Sequence, residues 1–321
     1  MQLAVLNAGG NDREQRFDDA AGRPGDGPHA PINYHAYAAC TRGGFFRRIK
    51  TVPKESRAVL VLLANAVRPA RKAIEALKAA GKTVAISWKE SGLHQVARRL
   101  NDPTNLAEFR RVATLADGAL SSTPQLVELY RAMGCKHVEF LPTPYPVDDA
   151  RWNFGQPLAQ REGVFVGTRE WDVPTRRHAE ALLRACATGA PVTVCNVDGR
   201  RGRKLLKALG ATNLRVLEGR RPYVEYLRAM AACRVVFQLD ESAVPGQVAG
   251  DALLCRMPCV GGNGAIDQIA FGDADLGLLL RDDGAWQAAV DQSQAKASRD
   301  LAFAPVAARL RTFFQRLGAP V

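Results

Sequence analysis

At 321 residues with 47% apolar side chains, the chain is long enough for two ordinary domain cores. No apolar run reaches the roughly 18 residues that a membrane-crossing helix needs. Lys and Arg number 44 against 32 Asp and Glu, a net charge of +12 that points to an anionic partner: nucleic acid, a membrane surface or a phosphorylated ligand. Seven cysteines, an odd number with no C-x-x-C pair, argue against a disulfide framework and a zinc site. Together with a chain that starts directly in a strand at Met1-Gln2-Leu3, they imply a cytoplasmic protein, in the host cytoplasm if it is viral.

In chain order, Leu3 to Leu6 reads as a strand, followed by Gly9-Gly10, a pair that suits close approach of backbone to a ligand. Residues 18–35 hold Gly and Pro breakers and read as a long surface loop that includes His35. Residues 41–50, TRGGFFRRIK, interleave Arg42, Arg47, Arg48 and Lys50 with Phe45 and Phe46. Two readings stay open there: phenylalanines docked on the core under solvated cations, or cations on phosphates with an aromatic against a base. Strands follow at 58–63 and 83–88, with a helix at 69–81 between them. Further on come a helix around 105–115, strand 118–121, helix 124–133 and strand 137–141. Such alternation predicts a parallel sheet with helices on both faces, whose ligands lie beyond the carboxyl ends of the strands, where Glu90 stands.

Pro142, Pro144 and Pro146 form a stiff connector into a linker over 148–160, which places a domain boundary near 155. The alternation then restarts: strand and glycine at 163–169, helix 174–187, strand 191–197, strand 214–217 ending at Glu218-Gly219, and helix 223–233. These lead into RVVFQLDESAVPGQVAGDALLCRMPCVGGNG, residues 234–264, the stretch around which the chain is organised. It reads as a strand, an acidic Gly/Pro loop, a short helix over 250–255, and a second strand entered through Pro258. A loop rich in free amides delivered to a helix start builds an anion site. The last segment, residues 303–321, contains a basic amphipathic helix over 303–317.

The run Asp251-Ala252-Leu253-Leu254-Cys255-Arg256-Met257-Pro258-Cys259-Val260 resembles the "EALACGVPVV" segment of retaining nucleotide-sugar glycosyltransferases of the GT-B group. Ala116 to Thr123, and Gly134 on to Asp148, also resemble the end of that group's first domain, and the similarity spans most of 116–280. The resemblance implies two Rossmann-like α/β domains facing a central cleft: an acceptor domain at 1–155, a donor domain at 156–302, and a C-terminal segment at 303–321 that crosses back. It implies a hexosyltransferase with a nucleotide-sugar donor, a UDP-sugar foremost, and no required metal, in keeping with the lack of an Asp-x-Asp triplet.

Donor contacts implied by the resemblance are Gly167, Thr168 and Arg169, then Glu218 and Gly219 near the base, the amides of Gly246, Gln247 and Val248 for the diphosphate, and Asp251 for the ribose hydroxyls. The group has an earlier glutamate eight positions before the last acid. That position is Ala243 here, and Asp240 and Glu241 stand nearby as replacements. The residue that takes the acceptor proton is sought in the first domain among Glu90, His35, Asp12 and His94, with Glu90 preferred because it ends a predicted strand. For the acceptor, Gly9, Gly10, Arg42, Phe45, Phe46, Arg47, Arg48 and Lys50 favour a hydroxymethylated base in DNA, as in phage DNA-modifying transferases of this fold. The alternatives are a lipid-linked or polysaccharide acceptor with peripheral membrane contact, and a non-catalytic nucleotide or nucleic-acid binder of the same fold.

Overall fold

Ala58–Leu63 spells AVLVLL, and all six side chains are buried, as an unbroken apolar run requires of a strand covered on both faces. The computed structural model describes residues 1–321 apart from 65, 168–170 and 321. The chain forms two compact units, Met1–Pro146 with the segment from Leu301 onward, and Val147–Asp300. The change of unit thus falls at 146 and 300, where the sequence suggested 155 and 302.

The first unit contains β1 (Ala4–Leu6), β2 (Gln15–Arg16), β3 (Gly44–Phe46), β4 (Ala58–Leu63), β5 (Thr83–Trp88), β6 (Gly118–Ser121) and β7 (Val138–Phe140). They lie in the order β2-β3-β1-β4-β5-β6-β7, parallel except for the short β2 against β3. Its helices are α1 (Asn33–Cys40), α2 (Arg68–Ala79), α3 (Leu93–Leu100), α4 (Pro103–Leu115) and α5 (Val127–Ala132). Alternation along β4 splits the core in two. Val59, Val61 and Leu63 pack with Ile74, Leu77, Trp88 and Phe109 on one face, while Ala58, Leu60 and Leu62 pack with Tyr37 and Phe45 on the other.

Two sequence readings are corrected here. Residues 18–35 are not loop throughout, because α1 begins at Asn33 and takes His35 into a helix. Of the two readings left open for 41–50, the one with an aromatic against a base gives way: Gly44–Phe46 is a buried strand hydrogen-bonded to β1, since two adjacent aromatics stabilise a central pleated position more than a solvated one.

The second unit holds β8 (Val164–Val166), β9 (Val192–Asn196), β10 (Leu214–Glu218), β11 (Val235–Phe237) and β12 (Cys259–Val260), all parallel, in the order β10-β9-β8-β11-β12. Its helices are α6 (His178–Cys186), α7 (Arg200–Ala208), α8 (Tyr223–Ala231), α9 (Gln247–Leu254), α10 (Ala265–Ala270), α11 (Leu276–Arg281) and α12 (Asp283–Asp300). β9 and β10 run out on one side of β8, then β11 and β12 on the other, so the strand order reverses between β8 and β11.

The chain then returns to the first unit as α13 (Phe303–Arg316). Val306, Leu310, Phe313 and Phe314 complete the sheet face that carries Leu3, Val5 and Leu60. No helix among the described residues is long and apolar enough to cross a membrane.

Candidate functional site

In an open parallel sheet, the loops beyond the strand ends leave a crevice where strand order reverses. In the second unit this point lies between the turn at Gly167 and the loop 238–246. Gly246 has φ +92°, a left-handed value that frees the chain to turn sharply into α9. That turn starts the helix at Gln247 and not at residue 250, and Val248 in its first turn packs against Gly167. Thr168 and Arg169, expected to grip the diphosphate, lie outside the described residues.

The earlier helix start changes the role open to Asp251. It stands in the second turn of α9, 1% exposed, and its Oδ1 accepts the hydroxyl of Tyr223 at the start of α8. In this conformation Asp251 ties α8 to α9 and turns no oxygen toward solvent, which corrects the expectation of a carboxylate opening a helix toward a ribose.

Asp240 and Glu241 are also committed. Asp240 is buried and pairs with Arg176, its Oδ1 accepts the amide of Ser242 at 2.8 Å, and exposed Glu241 pairs with Arg177. The Glu241 amide donates to the Thr175 carbonyl at 2.8 Å, and the hydroxyls of Thr175 and Ser242 lie 2.9 Å apart. The loop is therefore laced to the 174–177 turn, and its acids act as struts.

From the other side, Asn263 Oδ1 accepts the Ala243 amide at 2.9 Å, and Gln238 Nε2 donates to Asp267 Oδ1 at 2.7 Å. Burial pushes the Asp267 carboxyl up to about 7. Glu218, at the end of the edge strand β10, accepts from Asn196 at 2.9 Å and pairs with Arg203 at 3.1 Å. Gly219 follows with φ +74°, and its amide bonds the Asn196 carbonyl at 2.8 Å. Both stand at the strand-end pole of the sheet, two strands from the Gly167 crevice.

In the first unit, β1 has β3 on one side and β4 on the other, so its carboxyl end lies at the corresponding reversal. Asn7 Nδ2 donates to Asp12 Oδ2 at 2.8 Å, and Lys89, from the end of β5, pairs with the same carboxylate. Burial raises the Asp12 carboxyl, but the hydrogen bonds from Lys89 and Asn7 and the Lys89 charge outweigh it and hold the group below its ordinary range. His35 is stacked between His29, with centroids 4.1 Å apart, and Phe45, at 4.0 Å. Burial drives it down to about 3, so the ring is neutral at physiological pH. Its Nε2, like Asn7 Oδ1, is buried without a hydrogen-bond partner. Gly9 bonds the Arg47 carbonyl at 3.3 Å, and a side chain at Gly10 would strike Asn7.

Asp12, His35, Gly9 and Gly10 thus come together with Asn7 and Lys89, neither of which the sequence reading included. Glu90 does not join them: its half-exposed carboxylate pairs with Arg99, and Lys89, the residue before it, faces β1.

The basic run separates. Phe45 and Phe46 are buried in β3, leaving no ring for a base. Arg42 precedes β3, at the other end of that strand from Arg47, Arg48 and Lys50, where it lines a small cavity with Met1, Cys40 and Arg311. This corrects the single nucleic-acid patch expected from 41–50. Among the described residues no group of three or more His, Cys, Asp or Glu could hold a metal ion.

No protein-family model and no curated protein matches the sequence. Solved structures do match in fold. The α,α-trehalose-6-phosphate synthase of Burkholderia multivorans aligns with TM-score 0.60 at 11% identity, over 84% of this chain and 73% of its own. A UDP-forming α,α-trehalose-phosphate synthase of Burkholderia xenovorans, solved with glucose-6-phosphate, gives TM-score 0.56 at 11% identity over 84% and 74%. A Rickettsia africae glycosyltransferase gives 0.53 at 8% identity over 82% and 78%. The fold is GT-B: two Rossmann-like α/β domains.

Proposed function

We propose that the protein is a glycosyltransferase that binds a nucleotide-sugar, with a UDP-sugar as the foremost candidate, at the β8/β11 reversal of the second unit and passes the sugar to a hydroxyl acceptor held by the first. The observation that carries the donor assignment is the meeting of Gly167, the left-handed Gly246 and the N-terminal end of α9 at the point where strand order reverses. The positive end of a helix suits the leaving diphosphate and stabilises the charge that develops on it. The fold neighbours include a UDP-forming synthase, which favours the uridine donor.

On the acceptor side, Asp12 is the group that accepts the hydroxyl proton. Lys89 and Asn7 keep it ionised and fixed. A carbohydrate or sugar phosphate suits this constellation better than a DNA base, whose stacking partners are buried in β3. Neutral His35 presents a ring nitrogen beside it.

Thermal denaturation with UDP-, GDP-, TDP- and ADP-glucose tests the donor assignment. One nucleotide should stabilise the protein by about 2.7 kcal/mol at a hundredfold excess over Kd. Failure of all four overturns it. Asp12→Asn should keep that stabilisation and lower transfer by about 10²- to 10⁴-fold, the usual worth of a general base.

A further inference from the structure

Helix α1 ends in a closed turn whose left-handed position is normally glycine. The Gly43 amide donates to the Ala38 carbonyl at 2.8 Å and the Arg42 amide to the Ala39 carbonyl at 2.9 Å, and the residue at the left-handed position is Arg42, with φ +51°. A side chain in that conformation crowds its own backbone, so the position is strained. The helix end does not need the arginine. The Thr41 hydroxyl lies 3.0 Å from both the Tyr37 and the Ala38 carbonyl, and with the two amide bonds it occupies the last carbonyls of α1.

Arg42 instead lines a cavity of about 270 Å³ together with Arg311 of α13, and Gln2, Thr41 and Ala307 form much of the remaining wall. No acidic side chain lines it, and burial pushes the Cys40 thiol in the same wall up, so that group adds no negative charge. Among the described residues neither Arg42 nor Arg311 has a carboxylate partner. Met1 and Gln2 precede β1, so the cavity lies at the amino-terminal pole of the first sheet, whereas Asp12 is held at the carboxyl end of that strand.

We propose that this cavity is a binding site for a small phosphorylated molecule, with Arg42 and Arg311 as the groups that hold its phosphate. It is separate from the donor and acceptor sites proposed above and does not depend on them. Two guanidiniums with no acid beside them suit a phosphate monoester, because each offers a planar pair of N–H groups to two phosphate oxygens. The volume stands at the lower end for ligand pockets and suits a compact body of a few carbon atoms, not a nucleotide-sugar. Backbone strain at a residue whose side chain is not used by the fold is of the kind that binding sites retain.

Inorganic phosphate is the probe, titrated into the whole protein at pH 8 with the ionic strength held constant by chloride, so that general screening does not vary. Calorimetry should show saturable binding, and Arg42→Gly and Arg311→Gln should each weaken it by roughly ten- to hundredfold, the worth of one charge-assisted hydrogen bond. Without phosphate, Arg42→Gly should melt at a higher temperature than the wild type, because glycine takes the left-handed turn without strain. A wild type that binds no phosphate overturns the site. So does a double variant, Arg42→Gly with Arg311→Gln, that keeps the wild-type Kd, since the phosphate would then be held elsewhere. An Arg42→Gly variant that melts below the wild type would make Arg42 a structural residue and overturn its assignment.

Discussion

A Cβ on Gly167 would lie 2.2 Å from Cγ1 of Val248. The turn after β8 and the first turn of α9 are therefore packed backbone to side chain, with no room for a methyl group between them. Gly167→Ala is expected to cost about 1–3 kcal/mol from overpacking and to displace the α9 amides, weakening nucleotide-sugar binding. Val248→Ala in the same chain should restore both. Urea denaturation and donor titration of the single and double variants check this, and failure of the second change to rescue the first would contradict it.

Arg176 and Asp240 form an ion pair in which the carboxylate is 3% exposed and the guanidinium 16%. Removing the cation alone strands a buried charge, so Arg176→Leu should cost about 3–5 kcal/mol. Asp240→Asn added to it should recover much of that loss, since no unpaired charge remains. A double-mutant cycle by chemical denaturation measures the difference.

His35 and His178 are driven down by burial to about 3 and about 4. The stability they contribute is complete above the ordinary histidine value of about 6.5 and is lost as pH falls through the folded values. Acid unfolding should therefore steepen below pH 6, and His35→Gln should flatten that limb. Melting temperature against pH from 7 to 4 tests it.

Asp267 carries the opposite sign. With its carboxyl raised from 3.8 to about 7, the stability it contributes is present at low pH and is lost as pH rises through 7. Asp267→Asn should raise the melting temperature at pH 8 and leave it nearly unchanged at pH 4. Equal shifts at both pH values would contradict the assignment.

Phe45 and Lys50 stood in one basic and aromatic run, and the fold separates their roles. Phe45→Ala should cost about 3–5 kcal/mol as a core truncation, whereas exposed Lys50→Ala should change stability by no more than about 0.5 kcal/mol. Neither should alter donor binding. Denaturant midpoints decide.

Much of the scaffold was legible because its signals are local. AVLVLL and TVAISW are long apolar runs bounded by breakers, and they became β4 and β5 at the expected residues. The strand, glycine loop and helix around residue 246 were visible as a unit for the same reason, and the crevice lies there. Less legible was the helix start, which a left-handed Gly246 sets at Gln247, and with it the inward turn of Asp251. The strand inside TRGGFFRRIK was hidden because flanking charge made it look solvated, and its pairing with β1 joins residues some forty positions apart in the chain.

By itself the sequence determined the α/β alternation, the two-part organisation and the position of the glycine turn at 246, since periodicity and turn chemistry act over a few residues. Which charges meet was decided only by tertiary structure. Asp12 finds Lys89 77 positions away, Asp240 finds Arg176 64 away, and Gln238 finds Asp267 29 away. A side-chain pair of that separation leaves no local trace, because its partners are chosen by strand order and helix packing.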